Sequence, residues 1–252
     1  MFALLVVLGA AVAGFVLLDP FGSEKTATPA RSTTVSSPPP PAAPTPTSAA
    51  PGPQTFDRTQ LSIDAADSNW VVVDKLRPLE PIDYAPTDLV DAGGGHQLRA
   101  EAARAMASMQ AAAAPAGLHI SVESAYRSYD YQQGLFSNSV ARFGQDGAEH
   151  RSARPGFSEH QTGLAADVGG GGCDIESCFA TTAEGRWVAA DAYRFGFVVR
   201  YPDGAQPITG YKYEPWHVRY VGVELATELH DTGGATLEEF FGLPAAPTYA
   251  PG

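Results

Sequence analysis

Residues 156–168 read GFSEHQTGLAADV, with a histidine and an aspartate seven positions apart among glycine and alanine. In LAADV (164–168) an extended chain sends Leu164, Ala166 and Val168 to one face, and Ala165 and Asp167 to the other. Gly163 permits a turn between His160 and that strand. His160 and Asp167 can then meet on the face away from the core, where Ala165 leaves room. This pattern suits an ion approached closely by a ligand. The plainer alternative is a buried histidine with a capping aspartate.

The flanking sequence mixes helical and extended patterns. WVVVDKLRPL (70–79) begins as a buried strand. Residues 97–113 form the strongest helical pattern, with Leu98, Ala102, Met106 and Met109 on one face and Pro115 and Gly117 as the stop. LHISVESAYRS (118–128) alternates and reads as a strand. Ser128 caps a helix whose stripe is Gln132, Leu135, Phe136, Val140 and Phe143, ended by Gly144. Thr181 and Glu184 have capping-box spacing for a helix that closes at Gly196. FVVRY (197–201) and HVRYV (217–221) read as strands. Helices follow at 222–230 and at 237–241, the second opened by Thr236 and Glu239. Short strands without a strict βαβ rhythm predict an α+β fold: one domain over 56–245, with a small central antiparallel sheet flanked by helices.

The remainder of the 252 residues does not read as a folded domain. Residues 1–19 are apolar through position 18 and would span about 27 Å as a helix, so a membrane anchor or a signal peptide is expected. The anchor is favoured, because cleavage near AVAG (11–14) would leave an apolar stretch of about ten residues. Lys25 follows the apolar run, which fits the positive-inside rule poorly. Residues 20–55 are rich in Pro, Ser, Thr and Ala and read as a disordered linker able to reach on the order of 100 Å. Residues 246–252 read as a tail. An exported, extracytoplasmic domain follows, either anchored or secreted, touching the membrane through its N-terminal segment alone.

The net charge of −12, without a basic cluster, argues against nucleic acid and anionic lipid as partners. Cys173 and Cys178 are the two cysteines; in an exported chain they read as one disulfide closing a short loop.

Two further segments bear on chemistry. YEPWHVRYV (213–221) places Glu214 three residues before His217, and ESAYRSYDYQ (123–132) places Arg127 where a strand gives way to a helix. A catalytic zinc takes three protein ligands and keeps a fourth position open. His160, Asp167 and His217 supply two neutral imidazoles and one carboxylate, which leave a divalent ion a net positive charge and its Lewis acidity. Glu214 has the placement of a general base, stiffened by Pro215. Trp216 can wall the site. Arg127 can hold a carboxylate or a developing oxyanion. His96, His119, His150 and His230 read as ordinary histidines.

In this order and spacing, SAYRSYDYQ, RPGFSEHQTGLAADV and YEPWHVRYVG resemble the zinc D-alanyl-D-alanine carboxypeptidases of the VanY type. That group also contains D-Ala-D-Ala dipeptidases, lysostaphin-type endopeptidases and the hedgehog domain. The resemblance implies a hedgehog/DD-peptidase-like fold and one Zn2+ held by His160, Asp167 and His217. It implies Glu214 as catalytic base and Arg127 near the scissile carbonyl, with Ser158 and Gln132 lining the substrate pocket. The implied substrates are peptidoglycan stem peptides ending in D-Ala-D-Ala, cut by a monomer. Phe157 and the GGGGCDIESC stretch (169–178) depart from the family pattern. The same site could serve an endopeptidase, and the fold could serve a catalytically silent wall-binding module, though the ligand, base and arginine positions are all filled.

Overall fold

The computed structural model describes residues 55–234 and 236–250. The expected anchor and nearly all of the linker lie outside them. In chain order, a hairpin of β1 (Leu89–Gly93) and β2 (His96–Arg99) leads into α1 (Ala100–Ala113). Then follow β3 (Ser121–Ser124), α2 (Tyr129–Glu149), β4 (Ala165–Gly170), β5 (Cys173–Asp174) and α3 (Ala183–Asp191). The chain ends with β6 (Phe197–Tyr201), α4 (Gln206–Thr209), β7 (Glu214–Tyr220), α5 (Val223–Asp231) and α6 (Leu237–Phe241). The central sheet runs β3-β4-β7-β6, with β5 paired to β4, and all of its pairings are antiparallel. This is the α+β architecture expected from short strands among helices.

One face of the sheet makes the main core. Leu164, Ala166 and Val168 are fully buried with Val218 and Phe197, against Leu98, Met106 and Met109 from β2 and α1. A second cluster joins Trp70 and Val72 to Leu225, Leu229, Leu237 and Phe240 under α5 and α6. No helix among the described residues is long and apolar enough to cross a membrane.

Several local expectations shift, each for a physical reason. Residues 70–73 are buried but form no strand ladder, and a lone bridge joins Asp74 and Arg77. Guanidinium groups take the place of a neighbouring strand: Arg219 donates to the carbonyls of Asn69 and Val71, and Arg77 to that of Val72. The helix expected from 97 starts at Ala100, because Gln97 and Leu98 pair with β1. The helix after Ser128 passes Gly144, whose φ of 74° kinks it, and continues to Glu149 with Ala148 buried. Its expected stripe is no more than half-buried at Leu135, Phe136 and Val140, and Phe143 is exposed. The cap of α3 is Thr182 rather than Thr181, since the Thr182 hydroxyl accepts from the Gly185 amide. The box at Thr236 and Glu239 forms as expected.

The C-terminal residues, expected as a tail, pack into the domain. Ala246 is fully buried and donates its amide to Ile208 O. The Tyr249 hydroxyl accepts from the Arg154 amide at 2.8 Å, and its ring meets Phe157 edge-on. Buried Lys75 donates to Gly210 O at 2.7 Å, with its ammonium 4.8 Å from the Tyr211 ring centre. Replacing a buried aromatic with alanine costs about 3 kcal/mol at the low end. Tyr249→Ala should therefore lower the urea unfolding free energy by about that much. Tyr131→Ala, at a position 60% exposed, should stay within about 0.5 kcal/mol. Equal midpoints for Tyr249→Ala and the unsubstituted protein would mean that this segment merely lies on the surface.

Candidate active site

The site forms where β4 and β7 pair. Asp167 and His217 are direct cross-strand partners, so adjacent strands deliver a carboxylate and an imidazole to one spot. Glu214 lies three positions before His217, and a regular strand would turn them to opposite faces. A register shift between β6 and β7 removes that conflict: Val199 pairs with Val218, yet Tyr201 pairs with Glu214. Pro215, which has no amide to pair, falls within this irregularity. His160 arrives from a 3-10 turn over Glu159–Thr162, and Gly163, at φ 69°, ends the turn and starts the path into β4.

Donor atoms of His160, Asp167 and His217 all lie within 4.8 Å of one another, and all three residues are buried. His160 Nδ1 faces the Ala125 carbonyl at 2.7 Å. A carbonyl can only accept, so Nδ1 carries the proton and Nε2 turns a lone pair inward. Nε2 lies 3.3 Å from Asp167 Oδ2 and is a buried atom without a hydrogen-bond partner. His217 is arranged the other way round. Its Nε2 faces Glu159 Oε2 at 3.4 Å, and its Nδ1 faces Asp167 Oδ1 at 3.1 Å. Zinc bonds of roughly 2.0–2.2 Å imply tetrahedral ligand separations near 3.3 Å, which these spacings approach. The donor set therefore fits a zinc-type ion, with both imidazole tautomers fixed by groups behind them.

Glu159, which sequence reasoning passed over, is the group behind His217. It is fully buried, and its Oε1 accepts from Arg200 Nε at 2.8 Å and Arg219 Nη1 at 2.7 Å. Glu238 of α6 neutralises the second guanidinium edge of Arg200 at 2.6 and 2.9 Å. Burial alone would favour the neutral acid, but Arg200 and Arg219 hold Glu159 ionised, far below the usual carboxylate range. A signal was present in the sequence: FVVRY and HVRYV each carry an arginine within a core strand, and a buried guanidinium requires a buried carboxylate.

Environment sets the other charges. Burial, followed by the nearby Arg127 charge, lowers His160 to about 4. Burial would lower His217 as well, but its contacts with Asp167 and Glu159 outweigh that and raise it to about 9. Burial pushes Glu214 up to about 7, with Asp167 adding to the rise while His217 and Arg127 oppose it. Glu214 Oε2 lies 3.9 Å from His217 Nδ1, beside the donor cluster.

An open cavity of about 180 Å³ covers the cluster, and Arg127, Gln132, Ser158, Glu214 and Trp216 all line it. Arg127 Nη2 stands 3.8 Å from Asp167 Oδ2, and its Nε is buried without a partner. The Gln132 amide donates to Ser152 Oγ and Ala153 O, leaving its Oε1 buried and unpaired. Arg151, Ser152, Ala153, Ile175, Tyr201 and Tyr211, which the sequence did not single out, complete the wall. The Tyr201 ring packs 4.9 Å from that of His217. Cys173 and Cys178 are joined in a disulfide whose loop reaches the cavity rim at Ile175.

The VanY family model, described as D-alanyl-D-alanine carboxypeptidase, matches residues 95–223. The putative carboxypeptidase YodJ of Bacillus subtilis is 42% identical over 172 residues, covering 64% of this chain and 63% of its own length. The chain thus spans somewhat less than two thirds of that relative. Among solved structures, the LdcB LD-carboxypeptidase is 40% identical with a TM-score of 0.66, covering 70% of this chain and 87% of that one. A vancomycin-resistance D,D-pentapeptidase VanY mutant in complex with Zn(II) is 32% identical with a TM-score of 0.59, covering 68% and 97%. With the match extending over half the chain and spanning the whole donor cluster, this protein belongs to the VanY family of carboxypeptidases.

Proposed function

We propose that this protein is a zinc-dependent D-alanyl-D-alanine carboxypeptidase that removes the terminal D-alanine from peptidoglycan stem peptides outside the cytoplasmic membrane. The convergence of three metal-type donors, a carboxyl group with a raised pKa and an arginine whose Nε lacks a partner in one cavity carries the reading. The family supports it. His160 Nε2, one Asp167 oxygen and His217 Nδ1 would hold the ion, and the two-imidazole, one-carboxylate set suits zinc. When bound, zinc supplies the Lewis acidity that polarises the scissile carbonyl and acidifies water.

The chain's own groups do the rest. Glu214 accepts the proton of the attacking water and returns it to the departing D-alanine amine. Arg127 presents N–H donors to the negative charge that gathers on the carbonyl oxygen or to the substrate carboxylate. Ser158 and Gln132 offer polar contacts along the peptide, and Trp216 excludes water from one side. The 40% identity to an LD-carboxypeptidase supports one rival reading, in which the tetrapeptide is the substrate. A cross-linked muropeptide tests the endopeptidase reading in the same way.

Incubation with a muramyl pentapeptide should release one D-alanine, and a chelator should stop it. Glu214→Ala should reduce the rate by roughly 10²–10⁴-fold. Release from tetrapeptide alone would move the assignment to L,D-cleavage, and cleavage of the cross-linked dimer alone would move it to an endopeptidase. The pH profile should follow Glu214. Its base form is lost as pH falls, and a bound cation favours the carboxylate. The acidic limb of kcat/KM should therefore lie between the usual glutamate value of about 4.3 and about 7. A limb that persists unchanged in the residual activity of Glu214→Ala would assign it to another group. Glu159→Gln weakens the acceptor that orients His217, so its zinc dissociation constant, read by competition with a chromophoric chelator, should rise about 10–100-fold.

A further inference from the structure

Among the described residues, Ile175 is the non-glycine residue with positive φ, at 52°. A β-branched side chain is a genuine outlier in that region. Such conformations persist only where the surroundings over-determine them, and they gather at functional sites. Here the surroundings are explicit. The Cys173–Cys178 disulfide closes the loop. Gly169 and Gly170 pair with Asp174 and Cys173, and Asp174 Oδ1 accepts the Gly170 amide at 3.0 Å. The loop is thereby fixed to β4, the strand that carries Asp167. Its one aliphatic side chain, 41% exposed, stands in the cavity wall instead of the core.

The rest of that wall is mostly polar or ionic. Besides Ile175, Ala153 is the other aliphatic residue there, and the remaining apolar surface comes from aromatic faces. The proposed substrate end, by contrast, carries two methyl groups. We propose that Ile175 is a specificity-determining residue, presented by the disulfide-closed loop as an apolar lip that receives the methyl side chains of the substrate's terminal residues. This deepens the reading of the site as a D-alanyl-D-alanine carboxypeptidase and rests on it. Replacement by glycine removes the side chain while suiting the backbone. Replacement by asparagine keeps a side chain and tolerates the left-handed conformation, but is polar.

The test is equilibrium binding, by calorimetry, to the zinc-loaded Glu214→Gln protein, which binds without turnover. The probes are pentapeptides ending in D-Ala-D-Ala and in Gly-Gly. A hydrophobic pocket discriminates by roughly 10–200-fold per methylene-sized group, so the protein with Ile175 should prefer D-Ala-D-Ala by at least about tenfold. Ile175→Gly and Ile175→Asn should each cut that preference at least about fivefold. The thermal midpoint of Ile175→Gly should hold or rise, because glycine relieves the strained position. An unchanged preference in both variants would overturn the proposal. So would a loss of zinc or of the thermal midpoint that accounts for weaker binding of both peptides alike. The broader reading is judged separately, by whether the unsubstituted enzyme releases D-alanine from the pentapeptide. Turnover with no effect at Ile175 defeats the lip alone, whereas absent turnover with a methyl preference that depends on Ile175 defeats the reaction alone.

Discussion

The buried carboxylate of Glu159, gripped by Arg200 and Arg219, is the interaction on which the site's geometry depends. Two guanidinium groups inside a domain core are costly to desolvate unless each meets a carboxylate. Glu159 serves both through one oxygen, and Glu238 completes the set from α6. The other oxygen of Glu159 turns to His217. Guanidinium N–H groups left over reach back to the carbonyls of residues 69–73 and fasten the N-terminal stretch to the sheet. One ionic cluster thus joins β6, β7, α6 and the N-terminal segment, and holds His217 Nε2 as a donor to Glu159 while Nδ1 faces Asp167.

Strand pairing supplies the second requirement, closeness. Direct opposition of Asp167 and His217 brings their side chains together without help from a loop. The irregular pairing beyond Val199 lets Glu214 join them despite its odd spacing. Small residues matter here as space. A Cβ at position 163 would sit 3.0 Å from Arg99 Cγ and Leu89 Cδ2, so the turn that delivers His160 depends on glycine for room as well as for its positive φ.

The donor cluster was legible because its residues sit in segments with strong local patterns: a turn ended by Gly163 for His160, period two in LAADV, and Glu214 three positions before His217 in YEPWHVRYV, where the structure extends the expected strand back to Glu214. The α+β class was legible from the same periodicities. What escaped the sequence was set by distant partners. Residues 70–73 have the composition of a strand, but the carbonyls of Val71 and Val73 are taken by Arg219 and Arg200, more than a hundred positions away. Tyr249 looks like part of a tail until its hydroxyl meets the Arg154 amide. No local pattern marks Glu159, beside His160, as buried, and only the fold shows that Arg200 and Arg219 converge on it. Local pattern specifies elements and turns; pairings between buried charges arise from topology, which no local window contains.

The same logic explains why Glu214 and His217 both hold protons more tightly than usual. Three carboxylates, from Glu159, Asp167 and Glu214, crowd one desolvated volume, and the guanidinium charge of Arg200 and Arg219 is largely committed to Glu159 and Glu238. Asp167 and Glu159 draw a proton onto His217, and burial beside Asp167 draws one onto Glu214. A divalent cation among His160, Asp167 and His217 would satisfy that negative field directly, so its binding must expel the proton from His217 Nδ1 and favour the carboxylate form of Glu214. Under the proposed function, ion binding and activation of the base are one electrostatic event: the charge that fills the donor set also favours the form of Glu214 that accepts a proton.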